Sequence, residues 1–253
     1  MPSVQRSQNA QSRARAADVG VQGGGFLRLR GRPEPGTIRC VEPVLVTERL
    51  VLRQFTAADV DGLLDLDGDP AVMRFISRTT RSRAEIEAEV LPRFLACYAR
   101  YRDFGTWAAD TRGDGEFIGW FGLRPVQAVG AAMVEWADAP LPAHTASLGY
   151  RLRRSAWGRG YATEGARALV RRAFTELGIE EIVATTMTVN TRSRAVMEKA
   201  GLRYARTVHL DWPDPVDSNE HGDVEYRLRR DDWLAAAGRR TPRPARGTGP
   251  ARP

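Results

Sequence analysis

A strand-like stretch, a glycine-bearing loop and a helical pattern follow one another in the centre of the chain. The loop and the start of the helix read SAWGRGYATEGARALVRRAF, residues 155–174, and place Gly158 and Gly160 directly before the helical pattern. The first amides of a helix have no intrahelical acceptor and lie at the positive end of the helix dipole. Glycine permits positive φ and leaves those amides accessible. The sequence therefore predicts an anion-binding cradle where the loop enters the helix.

Two familiar phosphate-binding loops do not fit this stretch. The ATPase loop requires a lysine directly after its last glycine, and the one lysine of the chain is Lys199. The dinucleotide fingerprint requires a third glycine where Thr163 stands. A glycine turn without a ligand stays open as the alternative for this loop taken alone.

The middle of the chain alternates between strand-like and helical patterns. Helical spacing follows Thr56, a capping box of Ser82 with Glu85, and the loop before Tyr161, and a short helix ends at Gly201. Residues in alternation or rich in β-branched side chains predict strands at 49–55, 106–110, 116–123, 147–152, 181–189, 204–210 and 223–229.

Residues 125–144 have no steady period and are predicted to form a loop or an insertion. The fold class predicted from these patterns is α/β, with one mixed sheet of six or seven strands. The sequence predicts a single domain over residues 44–238.

The two ends of the chain differ from this middle. Residues 1–43 are rich in Arg and Gly, residues 239–253 are basic, and neither stretch has a periodic apolar face. Such segments do not offset the entropy of ordering, so both are predicted to be disordered tails without catalytic residues. A start of the native protein near Val41 or Val44 stays open as an alternative for the first stretch, and intact-mass measurement would decide it.

The net charge of +7 belongs to these ends. The first stretch carries seven Arg against three acidic residues and the last carries five Arg against none, which leaves residues 44–238 with a net charge of −2. A binding patch for nucleic acid would concentrate positive charge on the folded domain. The charge distribution therefore argues against nucleic acid as the partner of the folded domain, and a nucleic-acid or ribosome-surface binder that works through its arginine tails stays open as an alternative class.

The two cysteines, Cys40 and Cys97, match neither a metal pair nor a disulfide framework, which fits a reducing compartment. The sequence has no apolar run of about 18 to 20 residues and no signal-like apolar stretch near its start. We therefore expect a cytoplasmic protein that does not enter a membrane. Three histidines without paired spacing predict no metal site.

Two ordered segments together carry a family resemblance. GYRLRRSAWGRGYATEGARALVRRAF, residues 149–174, precedes TTMTVNTRSRAVMEKAGLRY, residues 185–204. Both resemble the GNAT superfamily of acyl-CoA N-acyltransferases, and within it the group with the ribosomal-protein N-terminal acetyltransferases RimJ and RimL. The superfamily loop is Gln/Arg-x-x-Gly-x-Gly/Ala, and Ser155 stands at its first place here. The resemblance covers roughly Val46 to Trp233 and implies the GNAT fold.

The resemblance implies acetyl-CoA as co-substrate, with the pyrophosphate held by loop amides and the pantetheine arm lying between two parted strands as an additional strand. The strand it would pair with is residues 147–152. The cofactor-binding residues implied in this way are Leu148, Tyr150, Leu152, Arg153, Gly158, Arg159, Gly160, Tyr161, Ala162 and Asn190.

The resemblance also implies two catalytic residues. Asn190 matches an asparagine that contacts the cofactor arm, although a helix N-cap explains it equally well. Ser193 matches a serine near the cofactor sulfur, where its hydroxyl would stabilise or protonate the leaving thiolate. Many relatives carry a tyrosine acid four residues further on, where this chain has Met197, so Ser193 is assigned that role. Its alternative is an ordinary first-turn serine.

The general base is unassigned, because related sequences often carry glutamate where this chain has Ser147. Aromatic residues are candidates to line an acceptor cleft, and base candidates are chosen by their chemistry. Each base candidate has the alternative of being an ordinary solvated loop residue, and a water chain without a dedicated base also stays open. The aromatic candidates are Trp107, Trp120, Phe121 and Trp136, with Trp120 or Phe121 expected in the core. The base candidates are Glu135, Asp138, His144, His209, Asp211 and His221.

The sequence thus predicts an acetyl-CoA-dependent N-acetyltransferase that transfers acetyl directly to a primary amine. A protein N-terminal α-amine and a small-molecule amine, such as an antibiotic or amino acid, both remain acceptors, because fold does not fix the acceptor. A non-catalytic protein that binds acetyl-CoA is a second class, and a homodimer is a candidate assembly since relatives commonly form dimers.

Overall fold

The computed structural model describes residues 42–129, 132–134, 143–209 and 215–238. The predicted tails, apart from residues 42 and 43, lie outside these residues. No helix among the described residues is long and apolar enough to cross a membrane.

One eight-stranded sheet, in the order β1-β2-β3-β4-β7-β8-β10-β9, forms the centre of the fold. All neighbouring strands in it are antiparallel except β7 and β8, which run parallel. The strands are β1 (Pro43–Val46), β2 (Leu50–Arg53), β3 (Gly105–Thr111), β4 (Phe117–Pro125), β5 (Gln127–Val129), β6 (Ala132–Val134), β7 (Thr145–Leu152), β8 (Glu181–Met187), β9 (Arg203–Val208) and β10 (Asp223–Arg229).

The mixed α/β fold is confirmed, but the predicted count of six or seven strands was too low. Strand β1 begins at Pro43, inside the stretch assigned to the N-terminal tail, and pairs with β2 at the edge of the sheet. Four residues are too few to show an alternating pattern. Strands β5 and β6 form a separate antiparallel pair within residues 125–144, where a loop or insertion was predicted.

Helices cover both faces of the sheet. Neighbouring strand residues point to opposite faces, and on β4 the Trp120 ring meets Phe94 at 6.3 Å while Phe121 lies against Gly165. The helix carrying Phe94 and the helix carrying Gly165 therefore lie on opposite sides. The helices are α1 (Val60–Asp67), α2 (Pro70–Met73), α3 (Arg83–Glu85), α4 (Leu91–Arg100), α5 (Tyr161–Thr175), α6 (Thr191–Ala200) and α7 (Arg230–Gly238).

The predicted capping signals are present. Thr56 and Ser82 each form a capping box, with Asp59 and Glu85 respectively. Helix α3 continues through a π-helical turn, Ile86–Val90, into α4, whose first turn contains Pro92. Proline has no amide hydrogen and its ring clashes with a preceding carbonyl, which explains the wider turn at this point.

Helix α5 buries the apolar face that its spacing predicts. The Phe121 ring fills the space beside Gly165, where a Cβ atom would overlap it. This contact fixes the height of α5 above β4, and with it the position of the loop that precedes the helix. The buried side chains on the helical face are Tyr161, Ala166, Leu169, Val170, Ala173 and Phe174.

Candidate active site

The glycine loop has the backbone conformation that the sequence predicts. Gly158 has φ +72° and Gly160 has φ +82°, both in the left-handed region that favours glycine. Gly160 is the N-cap of α5, and the first helical hydrogen bond runs from Glu164 N to Gly160 O at 3.0 Å. The amides of residues 161–163 precede that bond and have no intrahelical acceptor. Residues 158–160 of the loop are exposed and lead directly to these amides, an arrangement that can bind an anion.

A network that the sequence did not reveal ties the start of α5 to the turn between β1 and β2. The Glu164 carboxylate accepts hydrogen bonds from Thr47 Oγ1 at 2.6 Å, Arg49 N at 2.8 Å and Arg49 Nε at 2.6 Å. Although burial opposes ionisation, these hydrogen bonds lower the pKa of Glu164. Arg49 Nη1 also donates to Arg159 O at 2.9 Å. The network therefore fixes both sides of the glycine loop.

The two arginines assigned to the cofactor lie on different sides of the loop. Arg159 is exposed, with its guanidinium 5.4 Å from the Tyr161 ring. Arg153 instead donates to Asp65 of α1 at 3.0 Å and lies over the Phe117 ring at 5.2 Å. The Arg153 side chain is thus engaged with α1, and its role as a cofactor ligand stays a prediction.

Strands β7 and β8 part from each other beside this loop. They pair over only three residue pairs, from Thr145 with Glu181 to Ser147 with Val183. Beyond that point β7 stays paired with β4 as far as Leu152, and β8 stays paired with β10 as far as Met187. The backbone groups of both strands that face this gap have no partner strand there, and an extended amide-bearing ligand can satisfy them.

The side chains of β7 divide into two kinds. Leu148 and Leu152, predicted to contact the cofactor, are buried in the core at 3% and 5% exposure. Only their backbone is placed to meet a ligand in the gap. Tyr150 reaches from the same face of β7 to helix α6, where its hydroxyl donates to Ser193 O at 3.0 Å and lies 3.1 Å from Ser193 Oγ. Burial raises the pKa of Tyr150 to about 12.

Asn190 has the hydrogen bonds of a helix cap. Its Oδ1 accepts from Ser193 N at 3.2 Å, and its Nδ2 donates to Thr186 Oγ1 at 3.1 Å. The side chain retains a second amide hydrogen for a further partner. The cap is therefore present, and the contact with the cofactor arm stays a prediction. Met197 is buried in the core, away from the surface of α6 where a proton donor would be useful.

A second contact across the open end also escaped sequence reasoning. The Arg192 guanidinium, in the first turn of α6, lies 5.3 Å from the centre of the Trp157 ring in the glycine loop. Trp157 Nε1 donates to Leu152 O at 2.7 Å, which fixes the indole. The two residues stand 35 positions apart in the chain, so no local pattern could have revealed their contact.

The histidines proposed as bases occupy different ends of the sheet. His144 precedes β7, about 26 Å from Leu152 at ~3.3 Å per strand residue, and its Nδ1 lies 3.3 Å from Glu180 Oε1. His144 therefore lies at the paired end of β7 and β8, away from the glycine loop, and its role as a base stays a prediction. His209 and His221 flank the start of β10, beside the end of β8 and nearer the gap. Glu135, Asp138 and Asp211 lie outside the described residues.

The aromatic candidates for an acceptor cleft are mostly core residues. Trp107 is 1% exposed, so the expectation that it lines a cleft is wrong, whereas Phe121, at 0% exposure, is the one of the Trp120 and Phe121 pair that lies in the core, as expected. Both rings lie on a face of the sheet that is covered, and their burial in the core stabilises the fold. Trp120 is half-buried on the opposite face, with the Arg151 guanidinium 5.2 Å from its ring. Trp136 lies outside the described residues.

The chemistry open to this protein also depends on its cysteine thiols and on any metal-binding cluster. Cys97 is a free cysteine buried at 4% exposure, and burial raises the pKa of its thiol. A thiol in this environment is not a nucleophile. No group of three or more His, Cys, Asp or Glu that could hold a metal ion occurs within the described ranges.

A family model and a curated relative both match this chain over most of its described residues. Residues 49–203 match a family model described as an acetyltransferase (GNAT) domain. An Aspergillus fumigatus protein named FsC-acetyl coenzyme A-N(2)-transacetylase is 34% identical over 195 residues, which cover 76% of this chain and 79% of that protein.

Solved structures agree on the fold. A RimL ribosomal L7/L12 α-N-protein acetyltransferase with coenzyme A superposes with TM-score 0.58 at 18% identity, covering 76% of this chain and 99% of that one. An Agrobacterium tumefaciens acetyltransferase gives TM-score 0.53 at 25% identity, covering 79% of this chain and 99% of that one. The fold is the one that these acetyltransferase structures share. The chain belongs to the GNAT acetyltransferase family, and acetyl-CoA is its co-substrate.

Proposed function

We propose that this protein is an N-acetyltransferase that moves the acetyl group of acetyl-CoA directly to an α-amine, meaning an amine on the carbon next to a carbonyl. The observation that carries the proposal is the parting of β7 and β8 beside the positive-φ glycines of the loop. A thioester lying in that gap would have its diphosphate at the amides of α5 and its acetyl end near α6.

The cofactor contacts proposed here follow the described geometry. The loop supplies backbone amides from Gly158 to Ala162, and β7 supplies backbone groups at its unpaired end. Asn190 has a free amide hydrogen for the arm, and Ser193 presents a hydroxyl beside the gap. Arg159 adds positive charge close to the diphosphate.

The acceptor class rests on the Aspergillus relative. Its name states acetyl transfer to an N(2) nitrogen, which is the nitrogen on carbon 2. A protein N-terminus presents an amine in the same relation to a carbonyl. An α-amine has an ordinary pKa near ~7.7 to 8.0, so about a tenth to a sixth of it is neutral and reactive at pH 7, far more than of a lysine amine with a pKa near ~10.4. Such an acceptor requires only modest help from a base, which fits a site without an assigned one.

Direct transfer without a covalent acyl-enzyme is part of the proposal. The neutral amine attacks the thioester carbonyl, the C–S bond breaks, and the nitrogen loses a proton while the sulfur gains one. The buried, high-pKa thiol of Cys97 supports this route, since it offers no nucleophile at the gap. Kinetics with intersecting lines, rather than the parallel lines of a ping-pong reaction, are expected.

The test is to supply purified full-length protein with acetyl-CoA and each of four amine classes, and to follow both free CoA and acetylated product by mass spectrometry. The classes are peptides with free N-termini, α-amino acids and their amides, polyamines, and aminoglycosides. The proposal expects turnover with one of the first two classes and none with the last two.

Blocked versions of the best acceptor provide the matched control, because dimethylation of the α-amine to a tertiary amine removes the reacting N–H while leaving the rest of the acceptor unchanged. Turnover confined to polyamines or aminoglycosides would refute the α-amine. Tight acetyl-CoA binding without product in any class, or in a treated cell lysate, would favour the non-catalytic alternative.

A further inference from the structure

Two hydroxyl groups meet across the open end of the gap between β7 and β8. Tyr150 projects from the part of β7 that has no β8 partner, and Ser193 lies in the first turn of α6, which follows β8. The Tyr150 hydroxyl is 3.0 Å from Ser193 O and 3.1 Å from Ser193 Oγ. The pair therefore spans the space through which an extended thioester would pass.

A count of hydrogens shows that these contacts permit two arrangements. A phenol has one hydrogen to donate, and so does a serine hydroxyl. When Tyr150 donates to Ser193 O, the Ser193 hydroxyl satisfies the second contact by donating to the phenol oxygen. When Tyr150 instead donates to Ser193 Oγ, the Ser193 hydrogen is free to point elsewhere. The second arrangement leaves a donor directed at whatever lies in the gap.

We propose that Tyr150 is a positioning residue that turns the Ser193 hydroxyl toward the sulfur of the departing CoA. The inference rests on the proposed function, because it requires a thioester in this gap. A thiolate is an anionic acceptor, so it favours the arrangement in which Ser193 donates into the gap and Tyr150 donates to Ser193. The change is a rotation of two O–H bonds, and no covalent bond forms or breaks in it.

The surroundings of the two hydroxyls hold them in place. The Tyr150 ring packs at 6.2 Å against the buried Phe121 ring, its cross-strand partner on β4. The Asn190 cap fixes the backbone of Ser193 through the 3.2 Å bond to its amide. Burial keeps Tyr150 protonated through neutral pH, consistent with its raised pKa. Rigid support of this kind lets one hydroxyl determine the direction of another.

The charged groups next to the pair have other partners. Arg192 lies over Trp157, and Arg194 donates to Thr188 O at 3.0 Å and Tyr226 Oη at 3.2 Å. Neither contact involves the Tyr150 hydroxyl. Removal of that hydroxyl alone should therefore leave these cations in place, and an altered affinity for a thiolate can be traced to the hydroxyl pair.

A simpler role for Tyr150 would be to pin α6 to β7. If Tyr150 only held α6 against β7, removal of its hydroxyl would weaken the binding of every ligand in the gap equally. The proposal instead predicts a loss that depends on the sulfur atom and on its charge. Binding of CoA compared with desulfo-CoA, which lacks the sulfur, separates the two roles without knowledge of the acceptor.

The experiment measures the dissociation constants of CoA and desulfo-CoA by calorimetry between pH 6 and pH 9.5 on the full-length protein. In the unaltered protein, the preference for CoA over desulfo-CoA should grow about tenfold as the thiol ionises, which is the usual worth of a hydrogen bond to a charged group. Tyr150→Phe keeps the ring against Phe121 but removes the donor that holds the Ser193 oxygen, and should reduce that growth to about threefold while leaving desulfo-CoA affinity within about twofold.

Two further variants complete the test. Ser193→Ala removes the donor and should abolish the growth, and the double variant should lose no more than Ser193→Ala alone, since Tyr150 acts only through Ser193. Incorporation of 3-fluorotyrosine at position 150 acidifies the phenol without changing its shape, and should increase the preference for CoA at high pH. This variant carries the test if Tyr150→Phe fails to fold.

Several outcomes would overturn the inference. Equal weakening of CoA and desulfo-CoA by Tyr150→Phe would show a purely structural pin. Losses that add in the double variant would show that Tyr150 does not act through Ser193. If the unaltered protein bound neither CoA nor desulfo-CoA at any pH, the proposed function would be wrong, and the inference would fail with it.

Discussion

The two ends of the β7–β8 junction are built from different kinds of contact. At the paired end, the contacts are backbone hydrogen bonds, and three residue pairs join the strands. In addition, His144 O accepts from Glu180 N at 2.8 Å, and Glu180 O accepts from Arg230 N at 2.9 Å. At the open end, side chains make the contacts instead, through Tyr150 with Ser193 and Arg192 with Trp157.

This difference shows how one pair of strands serves two purposes. Backbone ladders are geometrically strict and fix the angle at which β7 and β8 diverge. At the open end, side chains rather than a ladder join the two strands, so a ligand can bind to the backbone groups there without disturbing the ladder. Chemistry is therefore expected at the open end, and changes at the paired end should affect stability rather than turnover. The following predictions test that division.

The largest effect is expected from a negative charge in the cradle. Gly160→Asp would place a carboxylate against the diphosphate, and we expect a loss of about 100-fold in acetyl-CoA affinity from repulsion at close range. Gly160→Asn has the same size and the same positive φ without the charge, so it isolates the electrostatic part. Gly178→Asp, also at positive φ but beyond the far end of α5, should leave affinity unchanged. Equal affinities for the Asp and Asn variants at position 160 would contradict the cradle.

A smaller effect is expected from the clasp of Arg192 with Trp157. Arg192→Met keeps much of the aliphatic stem and removes the cation, and an exposed cation–π contact is worth about 0.5–1 kcal/mol. We expect acetyl-CoA to bind about two- to fivefold more weakly, because the mouth of the gap is less well fixed. Arg167→Met is the matched control, since Arg167 joins α5 to Lys199 O on α6 without facing Trp157. A control variant that weakens binding as much as Arg192→Met would argue against the clasp.

The smallest effect is expected at the paired end. His144 and Glu180 form an exposed contact, and such pairs contribute about 0–1 kcal/mol to stability. His144→Ala should change kcat/KM by less than about twofold, with a free energy of unfolding lower by at most about 1 kcal/mol. Steady-state kinetics and urea unfolding measure the two quantities. A tenfold loss of kcat with an unchanged KM would instead identify His144 as a base. It would contradict the expectation that the chemistry takes place at the open end and that the paired end serves stability.

The sequence predicts this fold well wherever a local pattern carries the information. The glycines at 158 and 160, the apolar face of α5 and the capping boxes at Thr56 and Ser82 are all decided within a few residues of the chain. Strand β1 was missed because four residues at a sheet edge carry no usable period. The pair β5 and β6 was missed for the same reason, since each strand has only three residues.

The site is less predictable because it is assembled from distant segments. Motif resemblance led to Ser193 and Asn190, but the Tyr150 hydroxyl reaches Ser193 only because β7 and β8 diverge, and spacing along the chain contains no record of that divergence. The same holds for Thr47 and Arg49 at the start of α5. Trp107 was misassigned to a cleft because the packing that buries it is visible only in three dimensions.

The narrow junction has a mechanical consequence. Five strands lie on one side of it and three on the other, and only three residue pairs join them within the sheet. A pulling force applied across the sheet would concentrate at this seam, where few hydrogen bonds share the load. A bound extended molecule that hydrogen-bonds to both strands would lengthen the seam, so the loaded enzyme should resist such a force better than the empty one.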